Sequence, residues 1–203
     1  MTAILLAFIG GCSKTTAPQT RLIAALPAAL DTIHIVYVSS GLQPDYSRMP
    51  SGFSIYGEMN AALQTQRANA AATKLNSKGV HSVDAKIMKL APEIFQRNGL
   101  QGTVTTYVTQ HRMFDEMKSK AEDAKARDPQ RPIYWLLIWP ASGETSTFGS
   151  SLTFEASLWN LSDQRNYWRS NYMMALGRSD IDDEKVEQML SAVIGTLVAT
   201  AHP

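Results

Sequence analysis

The sequence predicts an α/β fold: a mixed sheet of about five strands with an antiparallel C-terminal hairpin, flanked by helices. Three observations predict it. Two runs rich in β-branched and aromatic residues, Ile33 to Ser40 (IHIVYVSS) and Ile133 to Trp139 (IYWLLIW), have the make-up of buried strands. An alternating segment beginning at Leu152 is followed by a polar turn and a second apolar run, as in a hairpin. The C-terminal segment carries apolar residues at helical spacing.

At the amino end, Thr2 to Ile9 (TAILLAFI) is apolar but far short of the roughly 20 residues that span a bilayer, so it reads as the hydrophobic region of an export signal. It runs into Ile9-Gly10-Gly11-Cys12, which resembles the bacterial lipobox. That resemblance implies cleavage before Cys12, a diacylglycerol thioether on its sulfur with palmitate-type acylation, and, with Ser13 next in the chain, delivery to the periplasmic face of the outer membrane. No Lys or Arg precedes the apolar run, which points to a start upstream of Met1. The competing reading makes Met1 to Cys12 a buried strand with a core cysteine; Cys12 is the only cysteine of the chain and stands at its only lipobox-like position. The expected organisation is a signal peptide over residues 1–11, a lipidated tether over 12–32 and a single α/β domain over 33–203, since 203 residues suit one core with a short appendage. Ser13 to Thr20 (SKTTAPQT) is small, polar and without apolar period, as a flexible tether is.

Beyond the first strand, Gly41 to Gly52 holds two prolines and two glycines and reads as an exposed loop. Ser54 to Lys78 is Ala-rich with helical spacing and stops at Gly79. Val80 to Leu90 alternates loosely, which predicts a second strand, and Pro92 to Asn98 a helical turn. Thr103 to Arg127 predicts one helix, solvated over its charged later turns, where the signs alternate. Ile133 to Trp139, the most apolar run of the domain, belongs at the centre of the sheet, with Pro140 ending it. Ser142 to Ser151 is then a flexible connection. Leu152, Phe154, Ala156 and Leu158 alternate with Thr153, Glu155, Ser157 and Trp159; Asn160 to Asn166 turns the chain, and Tyr167 to Leu176 returns. The final helix shows Val186, Met189, Leu190, Val193, Leu197 and Val198 on one stripe, with Asp180, Asp182, Asp183 and Glu184 at its start to cap it and complement the helix dipole.

Composition narrows the function classes. Nineteen Lys and Arg against 18 Asp and Glu leave a formal charge of +1, and no basic run is interleaved with aromatics, which disfavours nucleic acid as a partner. A single cysteine excludes an internal disulfide and a multi-cysteine zinc site. His34, His81, His111 and His202 lack the spacing that sets two metal ligands on one face. SGETSTFGSS (Ser142 to Ser151) has the small residues of a nucleophile turn but not its pattern, and no phosphate-cradling glycine motif occurs. No catalytic residue, cofactor or metal is assigned on these grounds.

The segment from Leu152, LTFEASLWNLSDQRNYWRS, resembles the hairpin of periplasmic lipoproteins related to the TolB amino-terminal domain, through Leu158, Trp159, Asn160, Trp168 and Arg169. That group includes accessory lipoproteins of polysaccharide export and curli-type secretion. The resemblance implies a non-enzymatic, lipid-anchored component of an envelope assembly or export machinery, contacting envelope proteins and able to form a homo-oligomer. The hairpin itself predicts cross-strand packing of Trp159 against Trp168. A sharper reading exposes the aromatics, with Tyr46, Phe148, Trp159 and Trp168 as partner contacts and Tyr134, Trp135 and Trp139 adding to a surface for a partner or a glycan. A glycan- or small-molecule-binding lipoprotein and an envelope hydrolase stand as alternatives.

Overall fold

A computed structural model describes residues 16–26, 30, 32–39, 69–70, 73–108, 110–127, 133–145 and 149–201. Within them lie strands β1 (Thr16–Leu22) and β2 (Thr32–Val38), helix α1 (Val83–Arg97), β3 (Gln101–Tyr107), α2 (Gln110–Arg127), β4 (Tyr134–Thr145), β5 (Ser150–Asn160), β6 (Arg165–Gly177) and α3 (Asp183–Ala201). A short 3-10 turn, Val80–Ser82, leads into α1. The strands form one mixed sheet in the order β1-β6-β5-β4-β2-β3. The four strands from β1 to β4 pair antiparallel, while β4, β2 and β3 run parallel. The sheet is therefore mixed and helix-flanked as expected, with six strands among the described residues.

Two cores follow from the period-two geometry of the strands. On one face, Ile33, Ile35 and Tyr37 of β2, Leu136 and Ile138 of β4, Phe154 and Leu158 of β5 and Trp168 and Met174 of β6 pack under α1 and α3. The apolar stripe of α3 supplies Val186, Met189, Leu190, Val193, Ile194 and Leu197, all buried. On the other face, Val36, Val38, Trp135 and Leu137 meet Met113 and Ala121 of α2. Strand β4 lies between β5 and β2, in the sheet interior expected of the most apolar run.

Four local expectations are corrected. Val80 to Leu90 is no strand: it forms the 3-10 turn and then α1, which runs through Pro92 to Arg97. Val83, Ile87, Ala91, Ile94 and Phe95 make a continuous buried stripe, and that burial offsets the hydrogen bond the proline cannot donate. Gln101–Tyr107 (QGTVTTY) is not the start of a helix but a strand, in keeping with its β-branched residues; the helix begins at Gln110. Pro140 does not end β4, which continues to Thr145 past an irregularity in register between Pro140 and Ser142. Thr16–Leu22 is not part of a flexible connection but an edge strand on β6, where backbone pairing needs no apolar side chains. Gly41 to Gly52 lies outside the described residues, as does most of Ser54 to Lys78, of which residues 69–70 and 73–77 are helical. No helix among the described residues is long and apolar enough to cross a membrane.

Candidate functional site

Of the residues singled out in the sequence, Cys12, Tyr46 and Phe148 lie outside the described set. Trp168 is a correction: it is 0% exposed, set in the larger core, and is no surface contact. Its presumed cross-strand partner is corrected too. Trp168 stands opposite Leu158, and Trp159 opposite Asn166, because the register shifts between Leu158 and Trp159. Because Trp168 faces Leu158, the residue next to Trp159 on β5, alternation along the strand sends the two indoles to opposite faces of the sheet. Trp159 instead pairs with Trp135 on β4 and packs at the rim of the smaller core, its Nε1 donating to Ser157 Oγ at 3.0 Å. Tyr134 and Trp135 are buried and Trp139 is half-buried, so among the described tryptophans and tyrosines of that set only Trp139 and Trp159 stand partly open.

The acids before α3 cap and charge the helix, as expected. Asp182 Oδ1 accepts from the Lys185 amide at 2.9 Å, and its other oxygen accepts from the Lys185 ammonium at 2.6 Å, which together hold the carboxyl below its usual range. Asp183 pairs with Lys89 of α1 at 2.6 Å.

The fold assembles one titratable cluster that no linear spacing announces, drawn from β2, β3, β4 and α2. His34 Nδ1 shares a hydrogen bond with the Thr103 hydroxyl, its ring tilts against Trp135 at 5.1 Å, and its Nε2 is buried without a partner among the described residues. Burial, then the nearby Lys120 charge, lower its pKa to about 4 against an opposing pull from Glu116. Lys120 lies 5.5 Å over the Trp135 ring and pairs with Glu116 at 3.0 Å. Glu116 also sits beside the Tyr107 hydroxyl, which together with Lys120 holds its carboxyl low, although that hydroxyl completes no well-aligned hydrogen bond. The imidazole is thus neutral at ordinary pH, and the group acts as a packed polar seam between α2 and the sheet. Among the described residues, no three His, Cys, Asp or Glu side chains converge as metal ligands would.

Helix α2 packs over the half of its face built from β2, β3 and β4, while the face formed by β5, β6 and β1 carries a more polar pattern. Register aligns Trp139, Glu155, Asn171 and Gln19 in one row and Leu137, Ser157, Arg169 and Arg21 in the next. Arg169, Asn171, Gln19 and Arg21 are exposed. The two end strands bear exposed apolar side chains: Leu22 and Ile23 at β1, and Val108 beyond β3, with Phe114 on α2.

No family model and no curated protein matches the chain. Solved structures do. One is the PelC dodecamer from Paraburkholderia phytofirmans, with 11% identity over 87% of this chain and 98% of that one and a TM-score of 0.39. Another is lipoprotein GNA1162 from Neisseria meningitidis, with 13% identity over 82% of this chain and 95% of that one and a TM-score of 0.32.

Proposed function

We propose that this chain is a lipid-anchored envelope lipoprotein, acylated on Cys12, that serves as a non-enzymatic component of an envelope assembly or export machinery at the periplasmic face of the outer membrane. The carrying observation is Ile9-Gly10-Gly11-Cys12 at the end of a short apolar run, with the only thiol of the chain at the lipid-accepting position. The α/β domain supports an assembly role by leaving two strands, β1 and β3, at the sheet ends with apolar side chains exposed beside them. Such surfaces suit association with envelope proteins or with further copies of the chain. Membrane confinement raises the effective concentration of partners whose interfaces are individually weak. Mass spectrometry of protein from the native host tests the anchor: the expected species begins at Cys12 and carries acyl chains. An intact leader on protein recovered from the cytosol would overturn it.

A second reading, binding of a glycan or small molecule, draws on Trp139 and Trp159 standing partly open on one face beside Glu155 and Asn171. Titration with oligosaccharides tests it: quenching that Trp159→Ala abolishes supports binding, and unchanged fluorescence removes it.

A further inference from the structure

Arg21 of β1 and Arg169 of β6 occupy directly opposed positions on one face of the sheet. Opposed residues of an antiparallel pair hold their Cβ atoms about 4.5–5.5 Å apart, where like charges destabilise the pairing. Both side chains are exposed, and neither forms an ion pair with a described residue. Glu155, one strand over and two positions along, does not come within ion-pair distance of Arg169. Asp163 in the hairpin turn is engaged by the Tyr167 hydroxyl at 2.6 Å and by the Arg165 amide at 3.1 Å. Two cations thus stand side by side with no counter-charge among the described residues.

The residues that follow Arg21 are apolar and open: Leu22 is 50% and Ile23 47% exposed. Ile23 and Ala24 continue along β6, both amides donating to the Tyr167 carbonyl, so the apolar pair is held on ordered backbone. A free anion would satisfy the arginines and leave Leu22 and Ile23 in water. Leu22 stands opposite Trp168, on the sheet face away from the arginines, so contact along the β1 edge is what reaches both. A surface met edge-on that presents phosphate above hydrocarbon satisfies the arginines and the apolar pair at once.

We infer that the β1 edge, through Arg21, Arg169, Leu22 and Ile23, is a contact site for a phospholipid surface bearing anionic headgroups. The arginines take headgroup phosphate, and Leu22 and Ile23 enter the boundary between headgroups and acyl chains. The placement rests in part on the acylation reading above: Thr16 begins β1 four residues after Cys12, a span of at most about 14 Å of extended chain, so an anchor there delivers this edge to the bilayer.

The test uses the full chain as Cys12→Ala, which cannot be acylated, in co-sedimentation with vesicles of phosphatidylcholine alone and of phosphatidylcholine mixed with phosphatidylglycerol. The expected result is partition onto the phosphatidylglycerol vesicles, weakened by salt and by Arg21→Gln or Arg169→Gln, each by about fivefold. Leu22→Ser and Ile23→Ser weaken it as well, whereas Met88→Ser, which alters an equally exposed side chain on α1, leaves it unchanged. Equal partition onto neutral vesicles, or indifference to both arginine variants, would overturn the inference. So would capture of a soluble polyuronate as tight as that of vesicles and insensitive to Leu22→Ser, which would assign the arginines to an acidic glycan. The two readings fail separately. An unacylated native chain whose Cys12→Ala form still binds through Arg21 refutes the anchor alone, and an acylated chain whose Cys12→Ala form ignores phosphatidylglycerol refutes this contact alone.

Discussion

The ammonium group of Lys78 donates to the carbonyl oxygen of Ser179 at 3.0 Å, joining residues 101 positions apart. It also donates to the Arg178 carbonyl at 3.0 Å, while the Lys78 carbonyl accepts from the Ile181 amide at 2.9 Å. Lys78 is 8% exposed, so the ammonium exchanges most of its water for these carbonyls. The contact fixes the turn between β6 and α3 against the segment that enters α1. Lys78→Met keeps the aliphatic stem and removes the donors. It is expected to lower unfolding stability by about 1.5–3 kcal/mol in urea titration, the range for hydrogen bonds from charged groups. No loss would mean that the two carbonyls are equally well served by water.

Trp168 and Trp159 separate packing from surface roles. Trp168→Ala empties a fully buried site and is expected to cost about 3–5 kcal/mol. Trp168→Phe costs much less, because the indole Nε1 has no hydrogen-bond partner to lose among the described residues. Trp159→Ala, at the rim of the smaller core, costs less than Trp168→Ala. Denaturation midpoints of the three variants check the order, and a reversal would contradict the placement of Trp168 inside the larger core and of Trp159 at the rim of the smaller one.

Gly102 of β3 lies beneath the Phe95 ring of α1 and beside the Ile33 carbonyl of β2. A Cβ there would stand 2.6 Å from the Ile33 carbonyl oxygen and 2.6 Å from the Phe95 ring, and the first of these is backbone that cannot swing aside. Gly102→Ala is therefore expected to destabilise by about 1–3 kcal/mol, as overpacking does, despite its gain in chain stiffness. Thermal melts of Gly102→Ala, and of Gly102→Ala with Phe95→Leu, check this. The second change relieves only the ring contact, so partial recovery is the expected result.

His34 makes stability depend on pH in a defined direction. Its folded pKa, lowered to about 4 from 6.5 by burial and by Lys120, means that the unfolded chain binds the extra proton first. The contribution is fully present above pH 6.5 and is lost as pH falls towards 4. Discounted for the ring's partial exposure, the loss amounts to about 1–2 kcal/mol. Urea unfolding from pH 7 down to 4 should show this slope in the parent chain and a shallower one in His34→Gln, with Lys120 and Glu116 unchanged. Equal slopes would show that the ring titrates alike in both states.

The long alternations and strict periods were legible because each records its own burial. The final helix and the hairpin strands carry their core face in local order, and so does the apolar run that became β4. The polar seam at His34 was not legible, since its members come from four elements and meet only after the sheet and α2 have packed. Nor was the pairing of Arg21 with Arg169, which depends on an edge strand whose residues 19–22 are exposed.

By itself the sequence determined the α/β class, the central place of the run Ile133 to Trp139 and the amphipathic close of the chain, because hydrophobic period is a local property of which residues must leave water. Tertiary structure alone decided the rest. It made Val83–Arg97 one helix across Pro92, recruited Thr16–Leu22 as an edge, and turned Trp168 inward while Trp159 faced the other way. Those outcomes rest on distant partners, a sheet offering backbone hydrogen bonds to a polar strand and a core whose burial outweighs a lost helical bond, and no local window of sequence contains them.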